Sequence, residues 1–131
     1  DLHSFPTRRS SDLNRLLLAR KYGATFSGVM RRINFPGSPM ELYGMITERE
    51  MARMVAVSRL VMGTAPRAHC THEPNAISLA AGANLFFPEV GSSPRDGEAD
   101  TGKGRGSTVE RCRAMQREMG WNPDLPSNCF P

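Results

Sequence analysis

The stretch A-T-F-S-G-V-M-R-R-I-N-F, residues 24–35, holds β-branched and aromatic residues up to the turn signal Pro36-Gly37-Ser38-Pro39, and reads as a strand followed by a loop. Its alternation with the helical pattern after it decides the fold class. Thr47 and Glu50 have the spacing of a capping box, and Met51, Met54, Val55, Val57, Leu60, Val61 and Met62 recur at helical intervals up to a stop at Gly63. A second extended segment, Pro66 to Cys70, leads to Glu73-Pro74, with proline placed for a first helical turn ahead of Ala76, Ile77, Leu79, Ala80 and Ala81. Gly82-Ala83-Asn84 closes that helix, and Leu85-Phe86-Phe87 is a third short strand.

Pro88 to Gly106 is a long polar stretch, expected as a loop. Ser107 and Glu110 form another capping-box pair, and Val109, Cys112, Met115 and Met119 line one face of a last helix that ends at Gly120. Strands alternating with helices predict parallel βαβ units, with ligand chemistry at the carboxyl ends of the strands. The segments so placed are Pro36–Tyr43, Arg67–Glu73 and Pro88–Gly106.

The chain has 131 residues, enough for one domain, and a formal net charge of +4. Lys and Arg are interleaved with Asp and Glu and gather into no stripe, so the composition reads as a solvated surface and nucleic acid is not an expected partner. No apolar run reaches the length of a spanning helix, and no membrane partner is expected. The three cysteines, Cys70, Cys112 and Cys129, have wide spacing and no C-x-x-C pair, which fits neither a disulfide framework nor a zinc site and points to a reduced, cytoplasmic setting. Cys112 shares a helix face with Met115 and is expected in the core, as are Met30, Met51, Met54 and Met62; Cys129 has no expected role.

Residues 3–12, H-S-F-P-T-R-R-S-S-D, resemble the translation of a sequencing adapter. Residues 1–13 are therefore expected to be non-native, with the native reading beginning near Asn14 inside a longer gene. Residues 14–123 then form the structured part and 124–131 a tail.

Five blocks carry a family resemblance: Gly37-Ser38-Pro39-Met40; the helix Met51 to Met62; Arg67; Ala81-Gly82-Ala83-Asn84-Leu85-Phe86-Phe87; and Met119-Gly120-Trp121-Asn122-Pro123. In this order and spacing they resemble the C-terminal, biotin and thiamin synthesis-associated part of biotin synthase. That part is shared more loosely with other radical S-adenosylmethionine enzymes, such as the thiazole-forming tyrosine lyase and the hydrogenase maturase. The resemblance implies the C-terminal part of a (β/α) TIM-type barrel acting on a small-molecule substrate, in an enzyme compatible with a homodimer. It implies a 4Fe–4S cluster that cleaves S-adenosylmethionine to a 5′-deoxyadenosyl radical, hydrogen abstraction, and sulfur insertion. The C-x-x-x-C-x-x-C loop that holds such a cluster is absent from this sequence and is expected upstream, so the chain alone is expected to be inactive.

The resemblance also implies that Arg67 matches a strand arginine ligating a second, 2Fe–2S cluster; an ion-pairing arginine at a barrel mouth is the other reading. Strand alternation puts Arg67 and His69 on one face. Cys70 beside His69 and His72 supplies thiolate and imidazole donors for a metal, or is a small buried apolar residue near a strand end. Met30 stands where the family has a substrate-binding asparagine. Lys103 and Arg105, in Gly102-Lys103-Gly104-Arg105-Gly106, read as part of a flexible solvated loop or as cofactor contacts that wrap an anionic group; the spacing is not that of a P-loop. A small non-catalytic α/β module that binds anions is the alternative from a different functional class.

Overall fold

The computed structural model of the chain describes residues 6–32, 36–88 and 107–125. Along it run α1 (Pro6–Lys21), β1 (Phe26–Val29), a short 3-10 turn (Glu41–Tyr43), α2 (Glu48–Met62), β2 (Ala68–Thr71), α3 (Ala76–Ala80), β3 (Leu85–Phe86) and α4 (Val109–Glu118). The strands form one parallel sheet in the order β1-β2-β3, with Phe26 opposite Ala68, Val29 opposite Thr71, and Thr71 opposite Phe86. Each strand therefore pairs with the next one in the chain through a helical crossover, as the alternating pattern predicts.

The caps explain where the helices begin. Thr47 Oγ1 accepts from the Glu50 amide at 3.2 Å, and Glu50 Oε2 accepts from the Thr47 amide at 2.8 Å, the reciprocal pair that the sequence predicts. At the far end Gly63, with φ of 61°, donates its amide to the Arg59 carbonyl at 2.8 Å. The other two starts differ from expectation. Asn75 caps α3 by accepting from the Ser78 amide at 2.8 Å, which leaves Pro74 ahead of the cap rather than in the first turn. Thr108 caps α4 through the Arg111 amide at 3.2 Å; Ser107 lies one residue outside, and the third helical position is Arg111 rather than a carboxylate.

Boundaries of the strands also shift. β1 stops at Val29, well short of Phe35, because β2 ends at Thr71 and offers little further edge; the last bond across it runs from the His72 amide to the Val29 carbonyl at 3.3 Å. Ahead of β1, α1 has no counterpart in the sequence reading, although Arg15 to Lys21 is a run of strong helix formers. It lies beside α2, with Arg20 Nη1 donating to the Val61 carbonyl at 2.9 Å. No helix among the described residues is long and apolar enough to cross a membrane.

The helical layer packs on one face of the sheet. Val29 joins Met51, Val55 and Ala83 in one apolar cluster, Ser27 Oγ lies 3.3 Å from Ser58 Oγ, and Thr71 Oγ1 reaches Met51 Sδ at 3.7 Å, so α2 covers β1 and β2. Leu79, Phe86 and Cys112 form a second cluster with Met115 and Met119 against it, which brings α3 and α4 over β3. Cys112 is in the core as expected. Met51 and Met62 are buried, but Met30 is 68 % exposed and Met54 37 %, so neither is a core residue.

Strand alternation puts Phe26 and Ala68 on the other face, then Gly28, Cys70 and Leu85 in one row, then Met30, His72 and Phe87 in the next. The stacking of His72 on Phe87, with ring centroids 5.2 Å apart, fits the last row. Phe26 at 50 % and Phe87 at 40 % exposure stand clear of the helical layer.

Candidate functional site

At the carboxyl ends of the strands the chain builds a polar brace. Arg31 follows β1 and its guanidinium forks onto both carboxylate oxygens of Glu73, which follows β2. Its Nη1 donates to the Ile46 carbonyl at 3.0 Å, and Glu48, the first residue of α2, lies 3.7 Å away. Arg32 Nη2 donates to the Met40 carbonyl at 2.9 Å and to the Gly44 carbonyl, which folds the loop after β1 back toward the strand end. Glu73 is fixed in turn, since its carbonyl accepts from Thr71 Oγ1 at 3.0 Å and from Asn75 Nδ2 at 3.1 Å. Arg31 and Glu73 are not among the sequence candidates. Their signal is the pair Arg31-Arg32 at a strand end facing a carboxylate at the next strand end, which only the parallel register brings together.

The candidate ligands on β2 separate. Arg67 precedes the strand at its amino end, where its amide donates to the Thr25 carbonyl at 2.8 Å, and its side chain is exposed. His69 is 1 % exposed on the face covered by α2, with the Ser58 backbone near its ring. Cys70 lies on the opposite face, half-buried, with its Sγ over Gly28 only 2.1 Å from where a Cβ on that residue would sit. Gly28 is therefore what gives the thiol its place. Arg67, His69 and Cys70 are not brought together around one ion, because the pleat turns His69 and Cys70 to opposite sides of the sheet. Among the described residues no three His, Cys, Asp or Glu side chains converge as a metal site. Lys103, Arg105 and Cys129 lie outside the described residues.

Electrostatics separate these groups further. Burial lowers the His69 pKa below the usual imidazole value; the Arg59 charge adds to that, and the Ser58 backbone opposes it. Burial raises the pKa of the Cys70 thiol and keeps it protonated near neutrality.

The block Ala81-Gly82-Ala83-Asn84 acts on the fold. Arg59 Nε and Nη2 donate to the Gly82 carbonyl at 2.9 and 2.8 Å, and with φ of 111° Gly82 presses so near Arg59 that an added Cβ would meet its Cγ at 3.0 Å. Asn84 Oδ1 accepts from the His69 amide at 2.6 Å and its Nδ2 donates to the Arg67 carbonyl at 3.3 Å, so the side-chain amide continues the ladder ahead of β3. At the chain's other end Arg117 and Arg113 hold Asp124 at 2.8 and 3.9 Å, against α4.

Comparison with protein-family models, with curated proteins and with solved structures finds no match.

Two outcomes are expected. Arg31→Ala, which strands the Glu73 carboxylate, should destabilise the chain by roughly 1–3 kcal/mol in urea unfolding, and Arg31→Lys should recover little of it, since an ammonium cannot fork. For His69 the folded pKa lies below the unfolded value of about 6.5, so the unfolded chain binds the extra proton as pH falls. Stability should be full above about pH 6.5 and decline below it toward the folded pKa, and His69→Leu should flatten the slope of unfolding free energy in that window.

Proposed function

We propose that the chain is the C-terminal section of a (β/α) barrel, and that its parent is a radical S-adenosylmethionine enzyme resembling biotin synthase. The observation that carries the reading is the winding of the sheet. Consecutive parallel strands are neighbours, and α2, α3 and α4 pack on the same face of them. A section of a barrel has sequential strands with its helices outside and the other face lined inward in layers, an arrangement that one half of a doubly wound sheet shares. The rows Gly28–Cys70–Leu85 and Met30–His72–Phe87 suit such layers. The brace of Arg31 and Glu73 then stands at the end of the barrel where substrates bind.

The choice of radical chemistry among barrel enzymes rests on the order of the five residue blocks. In this reading the 4Fe–4S cluster and its C-x-x-x-C-x-x-C loop lie upstream, and that cluster supplies electrons for cleaving S-adenosylmethionine. The chain itself contributes barrel wall and mouth, in a cytoplasmic enzyme with a small-molecule substrate. Arg67, His69 and Cys70 do not together form one ligand set for the second, 2Fe–2S cluster, because they are split between two faces and the amino end of the strand. No step is assigned to it.

Long-read sequencing across the locus tests the proposal. A C-x-x-x-C-x-x-C loop in frame upstream of Asn14 is the expected result; an uninterrupted gene that starts near residue 1 without such a loop would overturn it.

A further inference from the structure

We infer that His69 is an acid-sensitive latch for the carboxyl-terminal half of α2: when its imidazole takes up a proton, Ser58 to Gly63 lift from the sheet while the first half of the helix stays seated. Every group involved lies in the described residues, and the latch is independent of the barrel reading.

His69 stands at the centre of a polar row inside the contact between helix and sheet. Across the sheet it faces Ser27 on β1, whose Oγ lies 3.3 Å from that of Ser58 on α2. On its other side Asn84 grips its backbone: the His69 amide donates to Asn84 Oδ1 at 2.6 Å, and its carbonyl accepts from the Asn84 amide at 2.8 Å. Ser58 and His69 are each 1 % exposed, so water does not reach a charge formed on the ring.

The charges around the ring offer it no compensation. β1, α3, β3 and the turn Ala81 to Asn84 carry no titratable side chain, and on β2 itself Cys70 points to the opposite face. From α2 the nearby charge is the cation of Arg59, whose Nε and Nη2 are committed to the Gly82 carbonyl. Glu48 and Glu50, the carboxylates of α2, lie in its first turn, roughly 12–15 Å along the axis from Ser58 at about 1.5 Å per residue. There Glu48 adjoins Arg31 and Glu50 closes the capping box. The exposed Arg49 and Arg53 add only further cations, as does Arg20 of α1, which donates to the Val61 carbonyl. Burial and the Arg59 charge favour the neutral ring, and the Ser58 backbone alone favours the charged one. An imidazolium here is a second cation in a dry contact, and the helix must move to hydrate it.

The movement is confined because the two halves of α2 are held differently. Its start has the capping box, and Met51 and Val55 in one cluster with Val29 and Ala83. After Val57 the helix buries Ser58 and Met62, and Met62 belongs to neither apolar cluster. The Arg59 clamp on Gly82 is what ties this half inward, and it adjoins the group that charges.

Amide hydrogen exchange of the whole chain by NMR, between about pH 7.5 and pH 5.5 with the intrinsic chemical rate divided out, tests the latch. The expected result is that protection of the Val61, Met62 and Gly63 amides and of the Arg59 Nε–H falls below about pH 6.5, by up to about tenfold per pH unit, the limit for one proton taken up on opening. The Val55 amide should change much less, and His69→Leu and His69→Phe should abolish the fall. Protection that does not vary with pH would overturn the inference, as would an equal fall at Val55, which means the chain opens as one unit. A fall that persists in a folded His69→Phe variant would overturn it too. Should neither variant fold, the His69 C2 proton decides: its titration must track the loss of protection, and a ring that titrates while Val61 to Gly63 stay protected contradicts the latch.

Discussion

The structure depends on the seating of α2 across β1 and β2. Met51, fully buried, touches the Thr71 hydroxyl and lies in one cluster with Val29, Val55 and Ala83. Burying a side chain of this size contributes on the order of 1.5–3 kcal/mol, a large share of what a small sheet can gather. That packing also fixes register. A one-residue slip of β2 would turn Thr71 and His69 away from the helix and bring Cys70 under it, so the helix selects which face becomes core.

The remaining contacts build outward from that seating. Arg59 extends from α2 to the Gly82 carbonyl and sets the turn that delivers Asn84 to the backbone of β2; Asn84 then lets β3 join as the third parallel strand. At the other end of α2, Glu48 and the capping box adjoin Ile46, whose carbonyl takes the Arg31 guanidinium. The helix thus ties both ends of the sheet, and the carboxyl end receives the charged brace. Polar groups do the fixing at the two ends while apolar packing holds the middle.

Much of this is legible in the sequence because it is local. The Thr47–Glu50 box, the glycine stop at Gly63 and the order of strands and helices each depend on residues a few positions apart. The boundaries of β1 are not legible, since they are set by where β2 ends. The Thr108 cap escapes a sequence reading by one residue and the Asn75 cap by two, because neighbouring polar side chains offer equivalent chemistry until the backbone commits. The candidate site is harder to read for a physical reason: Arg31 and Glu73 are 42 positions apart and meet only through the parallel register, whereas His69 and Cys70 are adjacent and are parted by the pleat.

Everything proposed for this chain turns on α2, α3 and α4 covering one face of the sheet, with Phe26 and Met30 exposed on the other. Methyl NMR of the methionines with a soluble paramagnetic agent tests that arrangement most directly, since Met51 and Met62 lie in the helical layer and Met30 in the open row. The expected result is strong broadening of the Met30 methyl with Met51 and Met62 protected. A Met30 methyl as protected as Met51 would contradict it.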